Sequence, residues 1–497
     1  MKSLITPAAM KDMEGRYFAE TNTPSIDLME RAARELCNGL LRRYGRNRKV
    51  YFACGPGGNG GDGYACARLY AQMGGKCAVI PAIEPQSPDC IENALLAKRM
   101  GIPEYAPENV PDAPEIWVDA LYGTGLSRAP EGKAADLIRR MNADYLNGSI
   151  LVAVDIPSGL NGTTGSAWVP CLRADVTFTF QFAKPGHFMG DGLDVCGELE
   201  ILDIGVPAEF YPDDMTSLIE EEDVRGMLPG RPRNIHKGNC GHLLIVAGSV
   251  GMAGAAALCA QAALRSGVGL LTVACPESIV PIIQGLVPCA MCVPLPEANG
   301  AISNEAAGIL KDALTGKTAV VCGCGLSRNA GAEILKLLLT CPLPVLFDAD
   351  ALNLIASDDS LKSLLNSRHL ITPHPGEAAR LLGRPITNPI RDALVLRHLG
   401  PQVLLKGAAS VVPEGSRAII SASGCCGMAR GGSGDILSGI IGALIAEPSR
   451  RSLALSAAIG SEIHGLAGEL AQQRYGIRGM CSQDIIHALP EVFKRYE

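Results

Sequence analysis

Short runs of apolar residues alternate along the chain with stretches whose apolar positions recur every three or four residues. These are the marks of strands and amphipathic helices taken in turn. In the first half the strand-like runs are KVYFAC (Lys49–Cys54), Lys76–Pro81, Ile116–Asp119 and Ser149–Asp155. Between Pro24 and Tyr44, residues Ile26, Leu28, Met29, Ala32, Ala33, Leu36 and Leu40 fall at helical spacing. Strands apolar throughout and separated by helices predict a parallel sheet covered on both faces. ADVTFTFQF (Ala174–Phe182) alternates instead, and reads as a late strand near an edge. Across Glu209–Arg233, Pro, Gly and mixed charge interrupt every period, which suits a domain boundary. The alternation restarts with HLLIVAG (His242–Gly248), LLTVAC, AVVCG, PVLFDAD and HLITPH. QVLLKGAASVVPEGSRAIISASG predicts short strands with a hairpin turn at Pro413–Gly415. The C-terminal stretch is mostly helical, Asp435–Ala446 and Leu453–Arg474 being its clearest segments.

Composition narrows the function. The 497 residues carry 44 Lys+Arg against 51 Asp+Glu, a net charge of −7, with no basic cluster. That argues against a general nucleic-acid binder, and 4% aromatic residues leave few surfaces for stacking single strands. The longest apolar stretch, Ile436–Ala446, is too short for a spanning helix, which needs about 20 residues. The opening segment MKSLITPAAMKDMEGRYFAE lacks the apolar core of a secretion signal, so no membrane partner and a cytoplasmic location are expected. Eighteen cysteines then read as small buried hydrophobes. The pairs Cys289-x-x-Cys292 and Cys322-x-Cys324 match no common zinc spacing. With 57 glycines, many backbone positions must need positive φ or close approach to a ligand.

Gly55-Pro56-Gly57-Gly58-Asn59-Gly60 follows a strand and opens a helix, so its backbone N–H groups and the helix dipole can receive a phosphate. The same glycines would also serve a tight turn. Asp119 ends a strand before ALYGTGLSR, and Asp155 ends another before IPSGLNG. Ligands of doubly wound sheets collect at the carboxyl ends of strands, so Asn59, Asp119, Asp155 and Ser158 would line one crevice. Oxygen donors without Cys or His suit a hard cation, although an acid at a strand end is equally a helix cap.

GPGGNGGDGYACARLY, DALYGTGL and VAVDIPSGLNG resemble the NAD(P)H-hydrate epimerase domain, which interconverts the R and S forms of hydrated NAD(P)H. The resemblance covers residues 1–213 and implies a Rossmann-like doubly wound sheet. It implies that Asn59, Asp119 and Ser158 hold potassium. Gly58, Asn59, Gly60, Gly61 and Asp62, together with Gly123, Thr124, Gly125, Leu126, Ser127, Arg128 and Ala129, would bind substrate. Asp155 would contact the nicotinamide end and act as acid and base. The family usually has two consecutive asparagines; here the first is Gly58, while Asn59 remains.

In the second half, Gly431-Gly432-Ser433-Gly434 precedes an apolar helix, so unpaired N–H donors converge on an anion. Asp435 in the first turn would ordinarily complement the dipole; beside a phosphate loop it could also take a proton from a hydroxyl under phosphorylation. HKG (His236–Gly238), GHLLIVAGS, GMAGAA, FDADALN, TPHPGE, LLKGAASVV and GSGD occur in the order found in the ADP/ATP-dependent NAD(P)H-hydrate dehydratase branch of the ribokinase-like superfamily. That resemblance covers residues 217–497 and implies an α/β/α domain. By it Ala255, Gly325, His374 and Asp435 contact the hydrate, while Lys406, Gly407, Ala408, Ala409, Ser410 and Gly434 bind the adenine nucleotide. The family's GPG and GTGD stand here as GCG and GSGD. The implied chemistry is phosphorylation of the ring hydroxyl, with Asp435 as base and Mg²⁺ with ADP, or ATP, as donor, followed by loss of phosphate. The fused order resembles bacterial versions, which favour ADP.

The two resemblances together imply repair of NADHX and NADPHX by a homo-oligomer. A ribokinase-type small-molecule kinase with a non-catalytic dinucleotide-binding N-terminal half is the rival reading.

Overall fold

A computed structural model describes residues 1–228, 230–448 and 451–496. The chain packs as two compact units, Ser3–Thr216 and Ser217 onward, with Met1 and Lys2 grouped with the second.

The first unit holds six strands: β1 (Lys49–Cys54), β2 (Lys76–Pro81), β3 (Ile116–Ala120), β4 (Ile150–Val154), β5 (Val176–Phe180) and β6 (Glu198–Leu202). All neighbours are parallel, in the order β2-β1-β3-β4-β5-β6. Thus β5 is the late strand near an edge that its alternation predicts; β6 forms the edge itself, and its half-exposed ELEIL carries the glutamates that a solvent-facing edge requires. Helix α1 (Pro7–Thr21) precedes α2 (Ser25–Tyr44), whose buried Leu28, Ala32, Leu36 and Leu40 repeat every four residues and face the sheet. Helices α3 (Gly58–Gln72), α4 (Pro88–Arg99) and α5 (Gly132–Leu146) complete the cover. The strand order reverses between β1 and β3, which opens a crevice at their carboxyl ends.

The second unit repeats the plan with seven parallel strands: β7 (His242–Val246), β8 (Leu270–Pro276), β9 (Met291–Leu295), β10 (Ala319–Cys322), β11 (Val345–Phe347), β12 (His369–Ile371) and β13 (Gln402–Val403). Their order is β9-β8-β7-β10-β11-β12-β13, so the reversal falls between β7 and β10. An antiparallel hairpin follows, β14 (Ser410–Glu414) with β15 (Arg417–Ser421). Its turn is Gly415–Ser416 rather than Pro413–Gly415, because Pro413 pairs with Ala418 inside the ladder and Gly415 supplies the positive φ of 63°. Helix α6 (Ala253–Arg265) starts the cover, α7 (Ala349–Ser357) and α8 (Pro375–Leu382) continue it, and α9 (Ser433–Ala446) runs through the core with every residue from Ile436 to Ala446 buried. Burial of its Ile436, Leu437, Ile440, Ile441 and Leu444 stabilises the unit by about 1.5–3 kcal/mol per side chain. Helices α10 (Leu453–Gly479) and α11 (Ser482–Lys494) close the chain. The stretch Glu209–Arg233 is not devoid of regular structure: Glu221–Met227 is a helix held by a capping box at Glu220 and Asp223, a short signal that mixed charge hides.

All eighteen cysteines are free thiols. Among the described residues no His/Cys/Asp/Glu cluster could hold a metal, and no helix is long and apolar enough to cross a membrane.

Candidate active sites

In the first unit the chain leaves β1 at Cys54 and is tied at once to the neighbouring strand, Gly55 N donating to Ala120 O at 3.0 Å. A Cβ on Gly60 would lie 1.9 Å from the Gly55 carbonyl oxygen; only glycine lets the first turn of α3 fold back so tightly on the loop before it. The crevice beyond holds a cavity of about 710 Å³, within the usual range for small-molecule sites. Gly58, Asn59 and Asp62, residues Gly123–Arg128 and Asp155 all line it. Gly60 and Gly61 are buried beneath the loop, and Ala129 lies outside the wall, where the chain turns toward α5. Asp119 and Ser158 sit below, fully buried.

Asp155 has a left-handed backbone, φ 64°, which asparagine and aspartate tolerate best among residues with a Cβ. Its Oδ1 accepts from Thr179 Oγ1 at 2.9 Å and from the ammonium of Lys184, itself 1% exposed. Lys184 also donates to Thr179 Oγ1 at 2.9 Å. Its backbone N donates to His187 Nδ1 at 3.1 Å, which leaves the ring proton on Nε2, donated to Asp155 O at 2.9 Å. Burial pushes the Asp155 carboxyl upward, but the charge and hydrogen bond of Lys184, with help from His187 and Thr179, reverse this and hold it below the ordinary aspartate range. His187, desolvated and beside Lys184, is lowered to about 4 and stays neutral.

Asp119 accepts from Ser158 N at 2.8 Å, Ser158 Oγ at 2.7 Å and Leu121 N at 3.2 Å. Burial pushes it up to about 6, and among the described residues no cationic side chain pairs with it. Asn59 leaves its buried Nδ2 without a partner, and its Oδ1 would be 3.2 Å from a Cβ on Gly123.

In the second unit the reversal brings together the loops after β7 and β10. A Cβ on Gly323 would lie 1.9 Å from Asp348 O, and one on Gly325 would lie 2.9 Å from Ala255 Cβ. Ser249 Oγ donates to Gly325 O at 2.9 Å. Across from them the glycine loop leads into α9. Lys406 Nζ and Ser438 Oγ each donate to Asp348 at 2.7 Å, and a Cβ on Gly434 would sit 3.6 Å from Lys406 Nζ. An ammonium and the free N–H groups of a helix start thus face the same space. Burial, then the charge of Asp348, pushes Asp435 up to about 6, with a Cys324 thiol bond and Lys406 opposing. His374 caps α8: its Nδ1 accepts from Gly376 N at 3.0 Å and its Nε2 lies 3.2 Å from Glu377 Oε1. Gly407–Ala409 connect Lys406 to Ser410 at the head of β14. A smaller cavity, about 360 Å³, lined by Ser367, Arg397, Gln402, Glu414 and Ser452–Ala454, contains none of these residues.

Several residues of these sites carry no motif. Lys184, Thr179 and His187 come from β5 and the turn after it, and Glu14 comes from α1, which lacks a clear period. In the second unit Ser438 and the buried His464, whose Nε2 lies 3.4 Å from Ser433 Oγ, carry none either, and Asp348 stands in FDADALN without any sign there of the bond it accepts from Ser438.

Comparison with known proteins fits this geometry. Residues 243–491 match the family model described as NAD(P)H-hydrate dehydratase, and residues 25–186 match that of the YjeF-related protein N-terminus. The bifunctional NAD(P)H-hydrate repair enzyme Nnr of Moorella thermoacetica is 35% identical over 99% of this chain and 97% of its own length. That of Coxiella burnetii is 36% identical over 98% of each. The chain belongs to the bifunctional NAD(P)H-hydrate repair enzyme family. Among solved structures, the ADP/ATP-dependent NAD(P)H-hydrate dehydratase of Bacillus subtilis, co-crystallised with ATP and Mg²⁺, is 27% identical; the match covers 57% of this chain and 99% of that one, with a TM-score of 0.47. Within the family fusion, the epimerase half corresponds to the β1–β6 unit and the dehydratase half to the β7–β15 unit.

Proposed function

We propose that this chain repairs hydrated NADH and NADPH in two coupled steps. The first unit equilibrates R- and S-NAD(P)HX; the second uses ADP to return the S form to NAD(P)H, releasing AMP and phosphate. The observation that carries the reading is the same device built twice: a glycine loop at a sheet reversal, with one carboxyl tuned beside it. Asp155, held ionised by Lys184, is the acid–base residue of epimerisation. Asp435 takes the proton of the ring hydroxyl as that oxygen attacks the terminal phosphate of the nucleotide. Phosphate then leaves where hydroxide could not, and the dihydropyridine is restored.

Lys406 and the N–H groups at Gly434 balance phosphoryl charge, the kind of electrostatic contribution that usually dominates such transfers. The loop Lys406–Ser410 holds the nucleotide, and Ala255, Gly325 and His374 the hydrate. The charges of Asp348 and Asp350 both act on Asp435 and the only charge opposing them is that of Lys406, a negative surplus that suits a nucleotide-borne Mg²⁺, which when bound supplies further charge neutralisation. Asn59, Asp119 and Ser158 fit potassium, since Asp119 is a buried carboxylate without a cationic partner among the described residues; Asn59 and Ser158 would add side-chain oxygens to its charge. Eighteen free thiols suit a reducing cytoplasm.

The test is to incubate the full chain with separated R- and S-NADHX, with and without ADP. Epimers are resolved by chromatography, and NADH is followed by its near-ultraviolet absorbance. Asp155→Asn should stop R-to-S conversion and spare dehydration of S; Asp435→Ala should do the reverse. A phosphorylated small molecule that accumulates without NADH would refute the proposal.

A further inference from the structure

We propose that Glu14 is the proton donor working opposite Asp155 in the first unit's cavity. This rests on the epimerase reading and names the second half of its acid–base pair. Four carboxyl side chains, Glu14 from α1, Asp62 from α3, Asp89 from the first turn of α4 and Asp155 from the end of β4, line the one cavity. All hydrogen bonds to the Asp155 carboxylate fall on Oδ1, from Thr179, Lys184 and, at 3.5 Å, Phe180 N. Its Oδ2 is therefore left for a ligand. Among the described residues, neither the Glu14 nor the Asp62 carboxyl makes a hydrogen bond or ion pair, and Lys184 is committed to Asp155.

The electrostatics follow this arrangement. Burial and then the Asp155 charge push Glu14 up to about 7, Lys184 opposing. Burial, then the charges of Asp155, Glu14 and Asp89, push Asp62 well above the ordinary aspartate value, which favours its protonated, hydrogen-bond-donating form. Lys11 on α1 and Arg128 on the 123–129 loop complete the charged wall. An ionised base and a protonated acid in one cavity divide the roles of general catalysis between them.

In the hydrated ring, the carbon that bears the hydroxyl is bonded to the ring nitrogen. Asp155 Oδ2 takes the hydroxyl proton, the C–N electron pair passes to nitrogen as the aldehyde C=O forms, and Glu14 gives that nitrogen a proton. Rotation about the adjacent C–C bond presents the other face of the aldehyde. Nitrogen adds back, Glu14 recovers its proton, and Asp155 returns its own to oxygen. Nothing is oxidised, and both carboxyls end as they began.

The experiment measures equilibration of pure R-NADHX by the full chain from about pH 5 to 9, with the spontaneous rate subtracted. Wild type should lose rate with an alkaline limb near pH 7. Glu14→Gln should be slower by about 100-fold below that limb and should lack the limb, with substrate affinity within about threefold of wild type by calorimetry. Glu14→Asp should recover part of the rate and keep a displaced limb, which separates chemistry from folding. A Glu14→Gln protein with the wild-type rate and limb overturns the proposal, as does loss of the limb in Asp62→Asn but not in Glu14→Gln. If wild type itself does not equilibrate the epimers, the epimerase reading falls first and takes this proposal with it.

Discussion

Lys184→Met isolates what one buried ammonium does for Asp155. The lysine is 1% exposed and its partner 12%, so the substitution leaves a carboxylate in low dielectric without its cation. Breaking such a pair costs about 3–5 kcal/mol. For a unit of this size each kcal/mol moves the melting temperature by about 2–4 °C, so one transition of the full chain should fall by roughly 6–20 °C at neutral pH. The pH dependence has a definite sign. In wild type the Asp155 carboxyl is held low, so the stability it contributes is present above the unfolded aspartate value, about 3.9, and is lost as pH falls through the lower folded value. Without Lys184 burial dominates and the carboxyl moves above the ordinary range, so the variant regains stability as acid neutralises it. Calorimetry at about pH 7.5 and pH 5 should therefore show a deficit that shrinks on acidification, and Lys184→Arg should recover part of it. An equal deficit at both pH values, or none, would show that Lys184 does not set the ionisation of Asp155.

Dehydration by wild type should fall as pH drops below about 6, because Asp435, raised by burial and Asp348, must be ionised to act; an ADP-dependent rate that is flat through pH 5 contradicts this. Gly323→Ala puts a Cβ 1.9 Å from Asp348 O at φ 131°, and should abolish dehydration while epimerisation by the other unit continues at the wild-type rate. Replacing potassium by lithium should slow epimerisation, and Asp119→Asn should make that rate low and indifferent to the cation; a variant still activated by potassium would remove Asp119 from the ion site.

Sequence pattern and structure agree where glycine spacing and strand ends carry the signal. Asn59, Asp62, Asp155 and the 123–128 loop sit on motifs whose backbone demands are local, and a reversed strand order was enough to bring them to one crevice. Lys184 escapes such a reading. It is nearly 30 residues from Asp155, in a turn with no repeating pattern, and is recognisable only once β4 and β5 pair. Glu14 lies on a helix whose polar and apolar positions are too mixed to mark a face. Asp348 stood inside a quoted motif, yet its bond to Ser438 spans 90 positions and depends on α9 crossing the core. Local turn chemistry misled once, at Pro413, where proline looked like a turn residue but sits in a strand of a short hairpin.

The left-handed backbone at Asp155 decides which substitutions there are informative. Alanine or valine would incur about 1–2 kcal/mol of conformational strain on top of losing the carboxylate, so a conventional alanine scan confounds chain geometry with chemistry at this position. Asparagine tolerates the same dihedral angles and changes only the charge. The same restriction makes asparagine the substitution that separates the carboxylate's charge from the chain geometry at this position.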